Sequence, residues 1–230
     1  MERSQRVHFS YNLDKDVHNW WKTINSKNTS TNASWSFKTR SMEKKLVASI
    51  TATDEKEGKK ILKEYLEREN KKREDIISLC VTTLEQAWAT REEKYFDALE
   101  KLLNRKVTTS EYTADITTLY FGPYSPPDNW FMVPIWLPLL RQVTGVAHEL
   151  LHIEFIKTYG SKLNKLGNTE KTGLVEASTV LLNTQLFSTI LPAIDQGYTQ
   201  HEETRARIKT LWENGESLEG IVIIILDKYK

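Results

Sequence analysis

The stretch Pro138-Leu-Leu-Arg-Gln-Val-Thr-Gly-Val-Ala-His-Glu-Leu-Leu-His-Ile-Glu-Phe-Ile-Lys-Thr-Tyr159 decides how this chain is organised. Pro138 can open a helix, because the first turn has no use for its missing N–H, and Gly160 supplies a stop. Between them Leu139, Leu140, Val143, Val146, Ala147, Leu150, Leu151, Ile153 and Phe155 leave almost no polar face. A helix that is apolar nearly all round belongs in the centre of a domain. The rest of the chain should therefore be arranged to cover it.

Upstream, Asp115-Ile-Thr-Thr-Leu-Tyr-Phe121 is β-branched and aromatic, is bounded by Gly122-Pro123, and reads as a strand. A loop with Pro123, Pro126 and Pro127 then carries Trp130, Phe131 and Trp136. Residues 55–104 show helical periodicity through Ile61, Leu62, Tyr65, Leu66, Ile76, Ile77, Leu84, Trp88, Tyr95, Phe96, Leu99 and Leu103. No proline interrupts them, which predicts one long helix or a helical hairpin. Residues 45–53 read as a short strand or the approach to a helix. Before them, Phe9, Tyr11, Trp20, Trp21, Trp35 and Phe37 flank a polar loop at 25–34.

Downstream, residues 160–173 read as a polar loop with three glycines, and 174–191 as a helix stopped by Pro192. The remainder is expected to be helical, although Ile221-Val-Ile-Ile-Ile225 also suits a strand. The pattern predicts a mainly helical α+β protein. An N-terminal helical lobe, residues 1–105, would cover a part at 106–230 that contains a small sheet, the alternative being one compact domain.

Composition narrows the function classes. The 230 residues carry 32 basic and 31 acidic side chains, a net charge of +1, with 39% hydrophobic residues. That balance argues against a nucleic-acid binder, which gathers a basic surplus on one face. Residues 54–75 mix both signs and read as a solvated helix face. The N-terminal residues lack the apolar core of a secretory signal, and the apolar run at 221–226 falls short of the ~20 residues that span a bilayer. A soluble, cytoplasmic protein with no membrane partner is the expectation. Cys80 is the only cysteine, so no internal disulfide can form, and its apolar helical surroundings predict a packed thiol.

The chemistry lies in Val146-Ala-His-Glu-Leu-Leu-His-Ile-Glu-Phe155. His148 and His152, four apart on a helix, project from one face a turn apart. A tetrahedral zinc ion can accept a nitrogen from each at about 2.0–2.1 Å. Glu149 is rotated toward the edge of that face, where it can reach a water at the metal without being a ligand. Two histidines and a glutamate inside an apolar helix are expensive unless something satisfies them. Catalytic zinc usually takes three protein ligands. Glu154 points to another face. Glu176 lies 24 residues after His152 within Gly173-Leu-Val-Glu-Ala-Ser-Thr-Val-Leu-Leu-Asn183 and is the better third ligand. His201 competes with it. His8 and His18 have no partner spacing and read as structural.

His148-Glu-Leu-Leu-His152 followed by Glu176 resembles the gluzincin group of zinc metallopeptidases, over about residues 107–192 in arrangement and specifically in the motif alone. The resemblance implies one Zn2+ per chain held by His148, His152 and Glu176, with Glu149 as general base in the hydrolysis of a peptide or protein substrate. It implies that the strand at 115–121 forms the rim of the cleft and pairs with substrate, and that Tyr198 or His201 stabilises the oxyanion. Trp130 and Trp136 would border the cleft, while Trp20, Trp21, Trp35, Trp88 and Trp212 fill cores. A metzincin would carry glycine and histidine where Phe155 and Thr158 stand. The aspartate that thermolysin-like members place one turn after the glutamate is Val180 here, leaving Thr179 or Asn183 to support the ligands. The competing classes are a di-iron carboxylate protein, which lacks a second Glu-x-x-His in this chain, and a non-catalytic metal-binding interaction or regulatory protein on a zincin scaffold.

Overall fold

The computed structural model describes residues 6–26 and 42–227. It shows a mainly helical α+β protein built on one small mixed sheet. Strand β1 (Val7–Tyr11) leads into α1 (Leu13–Asn25), which starts where the Asn12 side chain accepts the Lys15 N–H. After α2 (Lys44–Thr51) and α3 (Glu55–Lys71) come α4 (Glu74–Ala89) and α5 (Glu92–Leu103). Then follow β2 (Tyr112–Thr117), β3 (Tyr124–Ser125), β4 (Trp130–Pro134) and the central helix α6 (Leu139–Leu163). The chain continues through α7 (Asn168–Ser178), 3-10 turns at Thr179–Asn183 and Thr199–His201, α8 (Glu202–Glu213) and α9 (Leu218–Asp227).

The strand order is β1-β2-β4-β3. β2 runs parallel to both neighbours, Phe9 opposite Ala114 and Ala114 opposite Phe131, while β3 closes the edge antiparallel, Tyr124 opposite Phe131. Alternation divides the sheet between two environments. Tyr112, Ala114, Ile116, Phe131 and Val133 face the principal core, which α6 fills with Val146, Ala147, Leu150, Leu151 and Ile153. The opposite face meets α1. Asp115 there accepts from Lys15 Nζ at 2.5 Å and Ser10 Oγ at 2.6 Å, and the buried Asp16 accepts from Thr117 and Thr118, both at 2.7 Å.

The expected lobes at 1–105 and 106–230 are not divided along the core. β1 is a strand of the same sheet as β2 and β4, and α4 and α5 contribute Leu84, Trp88, Tyr95, Phe96 and Leu99 to the core that α6 occupies. The Tyr95 hydroxyl donates to the Ala147 carbonyl at 2.7 Å, so α5 is tied to α6 by a buried bond. A second cluster gathers α1, α2, α3 and Leu119.

Several local expectations need correction. Residues 55–104 form three helices, broken at Lys72–Arg73 and Thr90–Arg91 without proline or glycine. The turns close through Arg73 N–H to Asn70 O and Arg91 N–H to Trp88 O, a backbone event that periodicity does not register. The 45–53 stretch is helical. Gly160 does not end the motif helix, because Leu163 beyond it is fully buried and offsets glycine's weak helix propensity. The 160–173 loop shrinks to 164–167, since α7 begins at Asn168. The helix expected to Leu191 ends at Ser178 and tightens into a 3-10 turn. The 221–225 run needs no correction: it takes the expected helix and not the alternative strand, burying Ile221, Val222 and Ile225 at helical spacing. No helix among the described residues is long and apolar enough to cross a membrane. Trp35 and Phe37 lie outside the described residues.

Core position separates the effects of similar substitutions. Leu150→Ala, at a fully buried site on α6, should cost roughly 3 kcal/mol in urea unfolding, whereas Leu79→Ala, at a residue 61% exposed on α4, should change stability by less than about 0.5 kcal/mol.

Candidate metal centre

The burial of α6 forces the question of what its polar side chains do. Glu154 is answered within the fold: its carboxylate accepts from Tyr112 Oη at 2.8 Å, Thr109 Oγ1 at 3.0 Å and Lys157 Nζ at 3.0 Å. It faces away from the histidines, as its spacing predicts. His148 and His152 lie one turn apart, edge to face, with ring centroids 4.2 Å from each other. Glu176 approaches from the C-terminal half of α7, its Oε2 lying 3.6 Å from His148 Nε2 and 3.7 Å from His152 Nε2. One ligand atom from each of the three lies within 4.8 Å of the others.

These atoms are buried and unsatisfied. Among the described residues, both nitrogens of His152, Glu176 Oε2 and Glu149 Oε2 have no hydrogen-bond partner. Orphaned buried polar atoms carry a full desolvation cost of about 1–3 kcal/mol each. Two imidazole nitrogens and one carboxylate oxygen, converging between α6 and α7, form a donor set that fits a divalent metal ion of the nitrogen- and oxygen-binding kind. Glu149 Oε2 stands 3.5 Å from His152 Nδ1, beside the cluster and outside the three-atom group.

His148 has an orienting partner that the sequence did not reveal. Its Nδ1 is 2.7 Å from Asp195 Oδ2. Asp195 Oδ1 in turn accepts from Thr179 Oγ1 at 2.9 Å and from Arg205 Nη2 at 3.0 Å. The Asn183 side chain receives the Asp195 N–H and donates to its carbonyl, both at 2.8 Å. Thr179 and Asn183 thus support the site, as expected, but they do so by holding a carboxylate 19 residues past Glu176. This also explains why α7 stops: the Thr179 hydroxyl bonds both Glu176 O and Asp195, on the turn that departs from α-helical geometry. Gly197 lets the chain cross the Arg205 guanidinium. Its φ is +60°, and a Cβ there would lie 2.4 Å from the Arg205 side chain.

Electrostatics follow from this network. Burial disfavours the charged His148 ring, but Asp195 outweighs it and raises the imidazole pKa well above its ordinary value. Burial likewise works against ionised Asp195, yet His148 and Arg205 hold it well below the usual carboxylate range. Burial opposes ionisation of Glu176 too, and His152 and His148 prevail to lower its pKa. Two phenols adjoin the cluster. Burial first, then the charges of Glu149 and Glu176, push Tyr124 and Tyr198 up, so both remain protonated donors at neutral pH.

Other residues fall elsewhere. His201 sits on the 3-10 turn over Gly173, partly exposed, its Cε1 3.4 Å from where a Gly173 Cβ would be. Burial lowers its pKa. Among the described residues the three-atom cluster contains Glu176 and not His201. The Asp115 strand cannot be a rim, because β2 is paired on both sides and offers no free backbone edge. The edge beside the histidines is β3, where the Tyr124 ring lies 4.9 Å from that of His152. Trp130 does not border the site: its Nε1 donates to Asp115 at 2.6 Å on the α1 side of the sheet. Trp136 donates to Thr118 O at 2.6 Å and stacks on Tyr120. Cys80 is packed against Gln142, and burial raises its thiol pKa. Comparisons with protein-family models, curated proteins and solved structures return no significant match, so the chemistry of the site carries the functional argument.

The Asp195 contact has a direct readout. In metal-free protein the His148 ring should titrate above 6.5. In Asp195→Asn the midpoint should fall, because burial is then opposed by Glu176 and Glu149 alone, as followed by NMR of the ring protons. The raised folded-state pKa means that this pair stabilises the metal-free fold at pH below the ordinary imidazole range. That contribution fades as pH rises through the raised value. An unmoved midpoint would show that Asp195 does not govern His148.

Proposed function

We propose that the chain is a zinc-dependent metallopeptidase of the zincin type in the gluzincin arrangement, with His148, His152 and Glu176 as ligands to one zinc ion. The observation that carries this reading is the group of buried ligand atoms left without hydrogen-bond partners at His152 and Glu176, beside an equally unpartnered Glu149 Oε2. A structural zinc site is normally closed by four protein ligands, whereas a catalytic one keeps three and an open position. Three ligands and an adjoining free carboxylate favour hydrolysis over a non-catalytic metal-binding role.

Bound zinc supplies Lewis acidity, polarising a carbonyl and lowering the pKa of a water molecule. The chain's residues do the rest. Asp195 accepts a hydrogen bond from the His148 Nδ1–H, which leaves Nε2, on the Glu176 side of the ring, to offer its lone pair to the metal. Glu149 accepts a proton from the attacking water as the new C–O bond forms, then delivers it to the amide nitrogen as the C–N bond breaks. Tyr198, protonated and close to both glutamates, donates a hydrogen bond to the oxygen on which charge develops. His201, displaced over Gly173, is the less suited of the two candidates for that role. The β3 edge, rather than 115–121, would receive an extended substrate backbone, which binds main chain with little regard to sequence.

Elemental analysis provides the first test. Wild-type protein purified without chelator should carry about one zinc per chain and His148→Ala essentially none. Metal in neither, after zinc is offered, would end this reading. Glu149→Gln should retain the zinc yet lose peptide hydrolysis by a factor on the order of 10²–10⁴ in kcat. Activity at the wild-type level in that variant would remove Glu149 from the mechanism. Glu176→Ala should weaken zinc binding in a chelator competition, and an unchanged affinity would require another third ligand.

A further inference from the structure

The two histidines are held in different ways. His148 is gripped by Asp195, itself fixed by Thr179, Asn183 and Arg205. His152 is 1% exposed and, among the described residues, hydrogen-bonded through neither nitrogen. A metal-binding imidazole normally donates its second N–H to an acceptor, which fixes the plane of the ring. The carboxylate nearest to His152 Nδ1, Glu149 Oε2, stands 3.5 Å away, beyond a normal hydrogen bond. Something else must set the His152 ring angle, because χ2 of histidine is broad by itself.

Packing does so. The Tyr124 ring lies against His152 with centroids 4.9 Å apart and planes inclined at 43°. Its position is well determined for so short a strand. Tyr124 stands opposite the fully buried Phe131, and the Met132 N–H donates to Pro123 O at 2.9 Å just before it. Gly122 permits that approach, since a Cβ there would lie 2.1 Å from the Met132 carbonyl oxygen. The ring is thus delivered by backbone pairing and not by a flexible loop.

We propose that Tyr124 is the positioning residue for His152, its ring fixing the imidazole plane so that Nε2 faces Glu176, as the Asp195 hydrogen bond does for His148. The inference rests on the metal reading above and adds a residue that lies 28 positions from His152 in the chain. The phenol hydroxyl is not needed for this role; the ring is.

The test compares wild type, Tyr124→Phe and Tyr124→Leu as full chains, by chelator competition for zinc and by the visible spectrum of the cobalt-substituted protein. Tyr124→Phe should bind zinc within about twofold of wild type with the same cobalt bands. Tyr124→Leu should bind roughly tenfold or more weakly, with altered bands. Thermal unfolding of the metal-free variants separates loss of fold from loss of ligand geometry. If Tyr124→Leu does not fold, NMR of zinc-loaded wild type and Tyr124→Phe decides: His152 ring protons should be ring-current shifted in both, and normal shifts would overturn the proposal. Wild-type affinity and spectrum in Tyr124→Leu would overturn it as well. So would a Phe variant weakened as much as the Leu variant, or a tenfold loss in Glu149→Gln with Tyr124→Leu silent. A wild type that binds neither metal would overturn the metal reading itself, a result distinct from all of these.

Discussion

The desolvation of His152 and Glu176 is the constraint around which the molecule is organised. A helix as apolar as α6 earns its central place by burying Val146, Ala147, Leu150, Leu151 and Ile153, and the same burial strips water from the polar side chains it carries. Glu154 is rescued by Tyr112, Thr109 and Lys157, and His148 by Asp195, whereas the atoms that face one another across the α6–α7 gap are left open. Of the polar side chains that α6 buries, Glu154 and His148 find partners within the fold, and the unsatisfied atoms of His152 and Glu149 lie beside that of Glu176. This selectivity is more telling than the presence of the histidines.

The supporting structure is asymmetric. One side of the cluster is governed by charge: Arg205, Asp195 and His148 form a chain of ion-pair contacts through which Asp195 stays ionised despite burial. The other side is governed by packing, with Tyr124 and His152 in ring contact at the edge of the sheet. Charge-based support is sensitive to pH, and packing-based support is not. The sheet matters because it delivers an edge. Parallel pairing on both sides leaves β2 no free backbone edge, and the antiparallel β3 is the edge strand next to the histidines.

Much of the site was legible because helical geometry is local. The spacing of His148, Glu149 and His152 needs only the 3.6-residue period to place them, and the all-round apolar character of 138–159 needs only burial to place the helix. Glu176 was legible as a lone carboxylate in an apolar helix. Asp195 was not: it acts across a turn after Pro192 whose path depends on the Asn183 side chain and on Gly197. Tyr124 was missed because β3 is two residues long, too short for any period to show. The breaks at Lys72–Arg73 and Thr90–Arg91 likewise arise from backbone turns that leave the apolar spacing intact.

Taken alone, the amino-acid sequence determined the class of fold, the central helix, and the placing of His148, Glu149 and His152 beside one another on that helix, since each follows from near-neighbour spacing and from the cost of burying polar groups. Tertiary structure decided the rest. It chose Glu176 over His201 as companion to the histidines, moved the accessible strand edge from 115–121 to β3, turned Trp130 to the far face of the sheet, and joined β1, α4 and α5 to the core of the motif helix. Those outcomes depend on which distant segments are brought together, and pairing between segments tens of residues apart is set by the packing of the whole core, which no local period encodes.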